Sequence, residues 1–366
     1  MKFLSAAAHG NSLADRTALL LINLGTPRAP TRAAVREYLD EFLLDSRVVE
    51  IPRLAWWMLL KAVVLPTRSA ASAARYASVW TDEGSPLLAH SERQHRALIA
   101  ELQRRKLDLQ VYLAMRYGEP SVDSALERMR QEQVNRLLVL PMYPQYSATT
   151  TGSAFDAVIR VLQRTRNVPE LRWIRSFPDD PGYIEALRRS VRGYWDDHGR
   201  PDKLVMSFHG LPRRNLQLGD PYQKECSHTA RLLAQALGIQ EHEYALCFQS
   251  RFGRARWLEP YTVDTLRALA RSGTGRVDVI CPGFVADCLE TLEEIALEAR
   301  REFLTSGGRE FHYIACLNEA PRFIVALADL AERHVQGWPV AVRERADREQ
   351  QAQAGVARAP ELGAAG

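Results

Sequence analysis

The chain has 366 residues, 46% of them hydrophobic and 25% charged, which is typical of a globular protein with room for two domains of about 150 residues. Its formal net charge is only +4, from 48 basic and 44 acidic residues, and this near balance argues against a nucleic-acid partner. The five cysteines form no CxxC pair and no dense disulfide frame, so we expect a reducing, cytoplasmic compartment.

The two ends of the chain differ from its middle in composition. Polar side chains interrupt residues 1–17 where a secretory signal needs an apolar run, and we expect an N-terminal leader segment that is not a signal peptide. Residues 339–366 end in an Ala, Pro and Gly tail, which we expect to be disordered. The most apolar stretch, 54–66, is far shorter than the ~20 residues that span a bilayer.

Short apolar runs that stop at Gly, Pro, Asn or Ser alternate along the chain with amphipathic stretches that have charged outer positions. Such runs are typical of buried parallel strands, and the stretches between them are typical of helices. The predicted strands are 18–24, 110–115, 136–140, 171–175, 203–208, 244–248, 277–281 and 312–316. The clearest predicted helices are 121–133, 183–195, 228–236 and 289–303.

This alternation predicts an α/β protein of two tandem Rossmann-like domains, each a four-stranded parallel sheet flanked by helices. We place domain 1 at 18–178, with an apolar lip at 54–68, and domain 2 at 179–338. In open α/β sheets, ligands bind outside the carboxyl ends of the strands. Polar and aromatic residues follow most of the predicted strands, and we therefore expect the binding site at these ends.

His209 follows a predicted strand directly and precedes a Gly210-Leu211-Pro212 turn, which places an imidazole at the tip of the strand. An imidazole with a pKa near ~6.5 accepts a proton or binds a metal near neutral pH. The alternative is a histidine that only hydrogen-bonds a loop carbonyl group, and the residues alone favour neither interpretation.

Asp287, Glu290 and Glu294 are three and four residues apart, so on a helix they form one acidic stripe. Such a stripe attracts a divalent cation and holds it loosely, which suits a site that passes metal on. Asp287 and Glu290 also fit a helix N-cap followed by a capping-box acid. The spacing alone favours the capping interpretation.

Other residues at the predicted strand ends combine aromatic faces with cationic or polar groups. This combination suits a large, flat, conjugated ligand with carboxylates, because rings stack on the faces and guanidinium groups bind the acids. The candidates are Arg116, Tyr117, Tyr146, Ser147, Gln249, Ser250 and Trp257.

The Trp56-Trp57 pair allows two interpretations. It is either ordinary helix core, which base rates favour, or an exposed lip that dips into a bilayer surface and collects an apolar substrate. No GxGxxG, GxxxxGK[ST] or GxSxG motif occurs, so the usual nucleotide-binding loops and the hydrolase elbow are excluded.

Taken together, the strand-end motifs resemble those of the ferrochelatase family across about residues 18–335. The motifs that carry this resemblance are LINLGTP at 21–27, PQYS at 144–147, TTGS at 150–153, SFHGLP at 207–212, GDPY at 219–222 and ADCLETLEE at 286–294. The resemblance implies two chelatase-like domains around a porphyrin cleft. It also implies insertion of Fe²⁺, as a substrate, into protoporphyrin IX to form protohaem, with no permanently bound cofactor.

The resemblance also assigns roles to individual residues. His209 matches the family's catalytic histidine and Glu290 its partner acid, while Asp287 and Glu294 match an acidic path, so these four residues are the predicted metal contacts. This assignment reverses the preference for capping. The Arg116-Tyr117 pair matches an Arg-Tyr pair near the porphyrin, and Arg68 is a further predicted substrate contact.

The sequence departs from the family pattern in several places. Some members hold an iron–sulfur cluster through cysteines in a C-terminal extension and within the segment that contains Ala148. No cysteine follows Cys316, and we predict no cluster. Cys288 stands where several relatives have histidine, which puts a metal role there in question. Ala70-Ala71 replaces a Pro-Lys pair common after the basic residue, which weakens the assignment of Arg68.

Three alternatives remain beside protoporphyrin ferrochelatase. A coproporphyrin-using enzyme handles a substrate with more propionates, whereas the apolar lip at 54–68 favours protoporphyrin and predicts peripheral contact with the inner face of the membrane. A porphyrin or haem carrier needs neither the His209 base nor the Glu290 acid. A two-lobed solute-binding protein would normally be exported.

Overall fold

The computed structural model describes residues 16–251, 253 and 255–340. The predicted tail beyond residue 340 and the predicted leader before residue 16 lie outside these residues. Within them, two four-stranded parallel sheets have the orders β2-β1-β3-β4 and β6-β5-β7-β8. The strands are β1 (Arg16–Gly25), β2 (Gln110–Tyr117), β3 (Val134–Pro141), β4 (Glu170–Trp173), β5 (Lys203–His209), β6 (Tyr244–Gln249), β7 (Arg276–Ile280) and β8 (Glu310–Tyr313).

Helices connect the strands and cover both sheets. The α-helices are α1 (Arg32–Leu43), α2 (Arg53–Leu59), α3 (Leu65–Val79), α4 (Pro86–Arg104), α5 (Val122–Gln131), α6 (Ser153–Leu162), α7 (Pro181–His198), α8 (Arg213–Gln217), α9 (Tyr222–Leu237), α10 (Thr262–Arg271), α11 (Leu289–Thr291), α12 (Arg300–Thr305) and α13 (Pro321–His334). Three π-helical segments occur at Leu60–Val64, Ala148–Gly152 and Leu292–Ala299, and a 3₁₀ turn at Glu241–Glu243.

The two sheets repeat one plan. In both, the first strand lies between the second and the third, and the fourth strand forms an edge. The chain also leaves both edge strands in the same way: the Ile174 amide donates to the Val139 carbonyl, and the Ile314 amide donates to the Val279 carbonyl. The predicted α/β class with two four-stranded parallel sheets is therefore confirmed, although the edge strands end at Trp173 and Tyr313, earlier than predicted.

Alternating side chains of β1 serve two cores. Leu19 and Leu21 face a large shared core, whereas Leu20 and Ile22 face an outer core against α5 and α6. The shared core also contains Leu204, Met206 and Phe208 of β5 together with residues of α4, α7, α9 and α13. One apolar layer thus joins the two sheets and holds their strand ends in a fixed relation.

The segment from α2 to α3 is helical with a π turn in its middle, and its first part, α2, is apolar and exposed. None of the residues of α2 is buried, and Leu54, Trp57 and Met58 are 72%, 48% and 53% exposed. The interpretation of Trp57 as helix core is therefore wrong. Trp56 is half-buried, and its indole N–H donates to the Leu43 carbonyl at 2.6 Å. Among the described residues, no helix is both long and apolar enough to span a bilayer.

Candidate active site

His209 is the last residue of β5, and the buried Phe208 before it anchors the strand in the shared core. The Nδ1 atom of His209 lies 2.7 Å from the Gly210 carbonyl oxygen. Because a carbonyl oxygen only accepts, Nδ1 carries the proton, and the Nε2 lone pair of the neutral ring is left to accept a proton or bind a metal. One neutral ring can therefore donate to the loop carbonyl through Nδ1 and act as a base through Nε2.

The backbone at Gly210 lies close against the neighbouring strand. The Gly210 amide donates to the Gln249 carbonyl at 2.7 Å, and a Cβ atom at residue 210 would lie only 2.6 Å from that oxygen. The same Cβ would lie 3.2 Å from the Trp257 ring, since Trp257 pairs with Pro212. Only glycine fits this approach, which places Trp257 against Gly210, the residue after His209.

The end of β6 and the residue after it bind the helix that carries Glu290 and Glu294, residues 289–305, which we call the acidic helix. The Gln249 side chain donates to the Glu290 carbonyl at 2.8 Å, and its carbonyl oxygen accepts from Ser207 at 2.8 Å. The Ser250 amide and hydroxyl donate to the Glu294 carboxylate at 2.6 and 2.5 Å. Ser250 has φ +65°, a left-handed conformation in which its two donors face the same carboxylate. Gln249 and Ser250 therefore contact the acidic helix directly.

The acidic helix is not the continuous α-helix predicted for 289–303. It starts with the single turn α11, continues as a π-helix over Leu292–Ala299 and ends with α12. Glu294 and Glu298 lie in this π-helix, and Glu290 lies in the single turn before it. Burial, then repulsion from Glu293 and Glu294, raises the pKa of Glu298.

The helix start differs from the predicted cap. Cys288 is the N-cap, and Thr291 closes a capping box with it. Asp287 and Glu290 do not form the predicted capping box, because the N-cap is Cys288, one residue later than predicted. Asp287 is buried and instead accepts hydrogen bonds from Thr291, Tyr313, the Cys316 amide and Asn318.

The four predicted metal contacts do not form a preassembled cage. Within the described ranges, no group of three or more His, Cys, Asp or Glu side chains is arranged to hold a metal ion. Glu294 is engaged by Gln249 and Ser250, and Asp287 is enclosed by its own donors. Of the four residues, His209 and Glu290 are the two whose side chains are not enclosed by several hydrogen-bond donors from the described residues. The metal role of all four stays a prediction.

Arg116 and Tyr117 lie in a buried ionic network of domain 1. The Arg116 guanidinium is 2.5 Å from the Asp45 carboxylate and also donates to the Ser153 hydroxyl at 2.7 Å. Tyr117 donates to Asp45 at 2.8 Å. Burial alone would raise the pKa of Asp45, but hydrogen bonds from Ser153 and the Arg47 amide, and the Arg116 charge, hold it below its usual value. The polar groups of this pair therefore point to protein partners.

Tyr146 and Ser147 lie at the junction of the two halves. The Ser147 hydroxyl donates to Asp220 at 3.0 Å, and the Tyr146 amide donates to Glu225 at 2.7 Å. Arg175 stacks over the half-buried Tyr146 ring, 4.2 Å from its centre. These contacts connect the loop after β3 to α9.

Arg68 is exposed on α3, within the predicted lip. The structure thus brings together His209, Gln249, Ser250, Trp257, Glu290 and Glu294. Asp287 lies at the start of the acidic helix but is turned to Tyr313 and Asn318, and the remaining predicted contacts lie in the first half of the chain and at the junction.

Sequence reasoning did not identify Asp45, Tyr313 or Asn318. Asp45 contacts Arg116 across 71 residues, and Asn318 contacts Asp287 across 31. No local motif marks such contacts, although Asp45 follows the end of α1 and Asn318 follows β8, both at loops that approach the strand ends.

Comparison with known proteins identifies the family. The ferrochelatase family model matches residues 16–335, which is nearly all of the described chain. The chain belongs to the ferrochelatase family. The resemblance read from its strand-end motifs is therefore confirmed.

Curated ferrochelatases agree with this membership over the whole chain. The ferrochelatase of Azoarcus sp. (strain BH72) is 57% identical over 364 residues, covering 100% of this chain and 99% of the relative. The ferrochelatase of Herminiimonas arsenicoxydans is 54% identical over 366 residues, covering 100% of both chains.

A solved structure shares the fold of this ferrochelatase family member. SirB from Bacillus subtilis, solved with Fe³⁺, superposes with a TM-score of 0.52 over 88% of this chain and 96% of SirB. At 12% identity the likeness concerns the chelatase fold alone.

Proposed function

We propose that this protein inserts Fe²⁺ into protoporphyrin IX to form protohaem, a lyase reaction that ends haem biosynthesis. The observation that carries the proposal is the placement of His209 at the tip of β5, beside the acidic helix that bears Glu290, in a chain 57% identical to a ferrochelatase. A base next to a row of acids supplies what metal insertion requires: a proton acceptor and a route for the cation.

His209 is assigned the proton transfer. Its Nδ1–H bond to the Gly210 carbonyl leaves Nε2 as the acceptor for protons released from the pyrrole nitrogens. The same bond stabilises the imidazolium that forms, because the carbonyl oxygen lies against the positive ring. A porphyrin bent out of plane exposes its nitrogen lone pairs, and binding energy from the rest of the ring supplies that distortion.

Glu290, Glu294 and Glu298 are assigned the route of the cation. Oxygen ligands along the acidic helix hold a divalent ion loosely, since no closed cage exists among the described residues. Glu298 is 45% exposed, whereas Glu294 is fixed by Ser250, so the row runs from the surface toward Glu290. Asp287, Arg116 and Tyr117 shape the site, and Trp257, Tyr146, Ser147 and Arg68 are proposed to contact the porphyrin.

The exposed lip supports protoporphyrin over coproporphyrin. Leu54, Trp57, Met58 and Val63 present an apolar surface that suits a substrate with few propionates and that can lie in the headgroup region of a bilayer. We therefore place the protein in the cytoplasm, with peripheral contact to the inner face of the membrane. Sedimentation with vesicles tests this, and a Trp57→Ser variant that binds them as well as the wild type would contradict it.

We further propose that the protein carries no iron–sulfur cluster. Burial raises the pKa of every cysteine thiol, and that of Cys247 to about 12, which disfavours the thiolate that a cluster needs. The electronic spectrum and iron content of the purified protein test this, and cluster absorption with stoichiometric iron would contradict it.

The proposed reaction is tested by mixing the protein with protoporphyrin IX and Fe²⁺ without oxygen, then following porphyrin fluorescence and haem absorbance. Haem formation supports the proposal. Strong preference for coproporphyrin III would retain the enzyme class and change the substrate. Tight porphyrin binding without insertion of Fe²⁺, Zn²⁺ or Co²⁺ would point to a carrier.

A further inference from the structure

Asp287 has its carboxylate enclosed by donors. Its Oδ1 atom accepts from the Tyr313 hydroxyl at 2.5 Å, the Thr291 hydroxyl at 3.0 Å and the Cys316 amide at 3.4 Å. Its Oδ2 atom accepts from the Asn318 side chain at 2.7 Å. The residue is only 4% exposed. Four donors therefore already engage the carboxylate, three of them at Oδ1, and a metal bound through Oδ1 would have to displace them.

The donor directions are fixed by the neighbours. The Cys288 amide donates to the Thr291 hydroxyl at 3.0 Å, which leaves that hydroxyl's own proton for Asp287. Burial raises the pKa of Tyr313, so its hydroxyl stays protonated and donates. Hydrogen bonds to a buried charge are the strong kind, and they hold the first turn of the acidic helix against β8.

The network extends to the other half of the molecule. Asn318 accepts from the Asp287 amide at 2.9 Å through its side-chain oxygen. The Asn318 carbonyl accepts from Gln94 of α4 at 2.8 Å, and Gln94 also donates to the Val285 carbonyl at 2.8 Å. Gln94 is fully buried. A continuous path of hydrogen bonds therefore joins α4 of domain 1 to the segment that carries Glu290.

We propose that Asp287 is a positioning residue that sets the location of Glu290 and does not bind the metal. It acts through Thr291, which is adjacent to Glu290. The Gln249 side chain, at the end of β6, fixes the Glu290 carbonyl. This inference deepens the proposed function and rests on it, because Glu290 is taken to receive the cation.

The test compares Asp287→Asn, Tyr313→Phe and the double variant with the wild type, using Glu310→Gln as a control acid that is 61% exposed on β8. Steady-state insertion of Fe²⁺ into protoporphyrin IX gives kcat and the KM for the metal. Calorimetric titration with Co²⁺ alone measures metal binding without turnover. Tyr313→Phe removes one donor and leaves the carboxylate charge intact, so it separates position from ligation.

A positioning role predicts that Asp287→Asn lowers kcat/KM for Fe²⁺ and the Co²⁺ affinity by about 10- to 100-fold, because Glu290 is displaced. Tyr313→Phe keeps the Asp287 carboxylate and lowers both quantities in the same way by about tenfold, and the double variant is no worse than Asp287→Asn because both act through one network. If Asp287 bound the metal itself, Tyr313→Phe would keep near-normal kcat/KM and Co²⁺ affinity, and that result overturns the proposal.

Amide hydrogen exchange separates this inference from the proposed function. Asp287→Asn and Tyr313→Phe are expected to accelerate exchange in residues 288–296, since the first turn loses its anchor. If the wild type inserted no metal, the proposed reaction would fail while this exchange result still supported the positioning network. Unchanged exchange in both variants would overturn the positioning role whatever the activity.

Discussion

The two sheets have the same topology, but their strand ends are used in opposite ways. At the end of β2, Arg116 and Tyr117 direct their polar groups to Asp45 and Ser153, forming a closed ionic network. At the ends of β5 and β6, the described residues give the His209 Nε2 atom no hydrogen-bond partner, and Gln249 reaches the acidic helix. The repeated fold thus closes its strand ends with an ionic network in one half, and in the other half it presents the residues to which we assign the chemistry.

The largest expected effect is on the rate of haem formation, and it comes from the half that carries His209. His209→Ala removes the proton acceptor and should lower kcat for haem formation about 10²- to 10⁴-fold, with porphyrin binding retained. Anaerobic insertion assays measure the rate and fluorescence quenching measures binding. The control is His242→Ala, in the exposed turn before β6. Near-normal turnover of His209→Ala would show that another group accepts the protons.

In the structural half, the largest expected effect is on folding. Asp45→Asn leaves the Arg116 guanidinium, 8% exposed, without its counter-charge and should lower the free energy of unfolding by about 3–5 kcal/mol. Urea denaturation measures this. The control Glu37→Gln breaks the exposed Arg28–Glu37 pair and should cost at most about 1 kcal/mol. Equal losses in the two variants would contradict the contrast between the buried and exposed pairs.

The Asp45 network also predicts a pH dependence of stability. The folded-state pKa of Asp45 lies below the usual 3.8, so its contribution is complete above that value and is lost as the pH falls through the folded pKa. The difference in unfolding free energy between wild type and Asp45→Asn should therefore be constant from pH 7 to about 5 and shrink below about 4. A difference that grew toward acid pH would contradict the direction of the shift.

The smallest expected effect concerns the contact between β6 and the acidic helix. Ser250→Ala removes the hydroxyl donor to Glu294 but keeps the amide donor, so we expect a loss of about 1–3 kcal/mol in unfolding free energy. Thermal and urea denaturation measure it, with the exposed Ser78→Ala on α3 as a control. No difference between the two serine variants would mean that the hydroxyl contributes nothing at Glu294.

The sequence predicted the elements that depend on local patterns. Apolar runs located all eight strands of the described residues. His209, predicted to follow a strand directly, is the last residue of β5 and thus lies at the predicted strand end. The π-helix was missed because glutamates four residues apart fit an α-helix equally well, and the wider turn depends on hydrogen bonds that no residue type specifies. The capping prediction failed by one residue, since Thr291 competes for the role given to Glu290.

Contacts between distant segments could not be predicted. The Asp45–Arg116 pair joins residues 71 apart, and most donors to the Asp287 carboxylate come from β8 and the loop after it. Side chains such as Arg116 and Tyr117 look the same in sequence whether they contact a substrate or a buried carboxylate. Only the folded arrangement decides which partner they have.

Among the described residues α13 is the last helix, and its position affects how the molecule is made. It packs against α4 and α7, and its Phe323, Leu327 and Ala331 complete the shared apolar layer. While the ribosome still covers this helix, both sheets can form but the layer between them stays open to water. We therefore expect the nascent chain to need chaperone protection until α13 emerges. Truncation before Pro321 is expected to yield aggregates rather than a smaller enzyme.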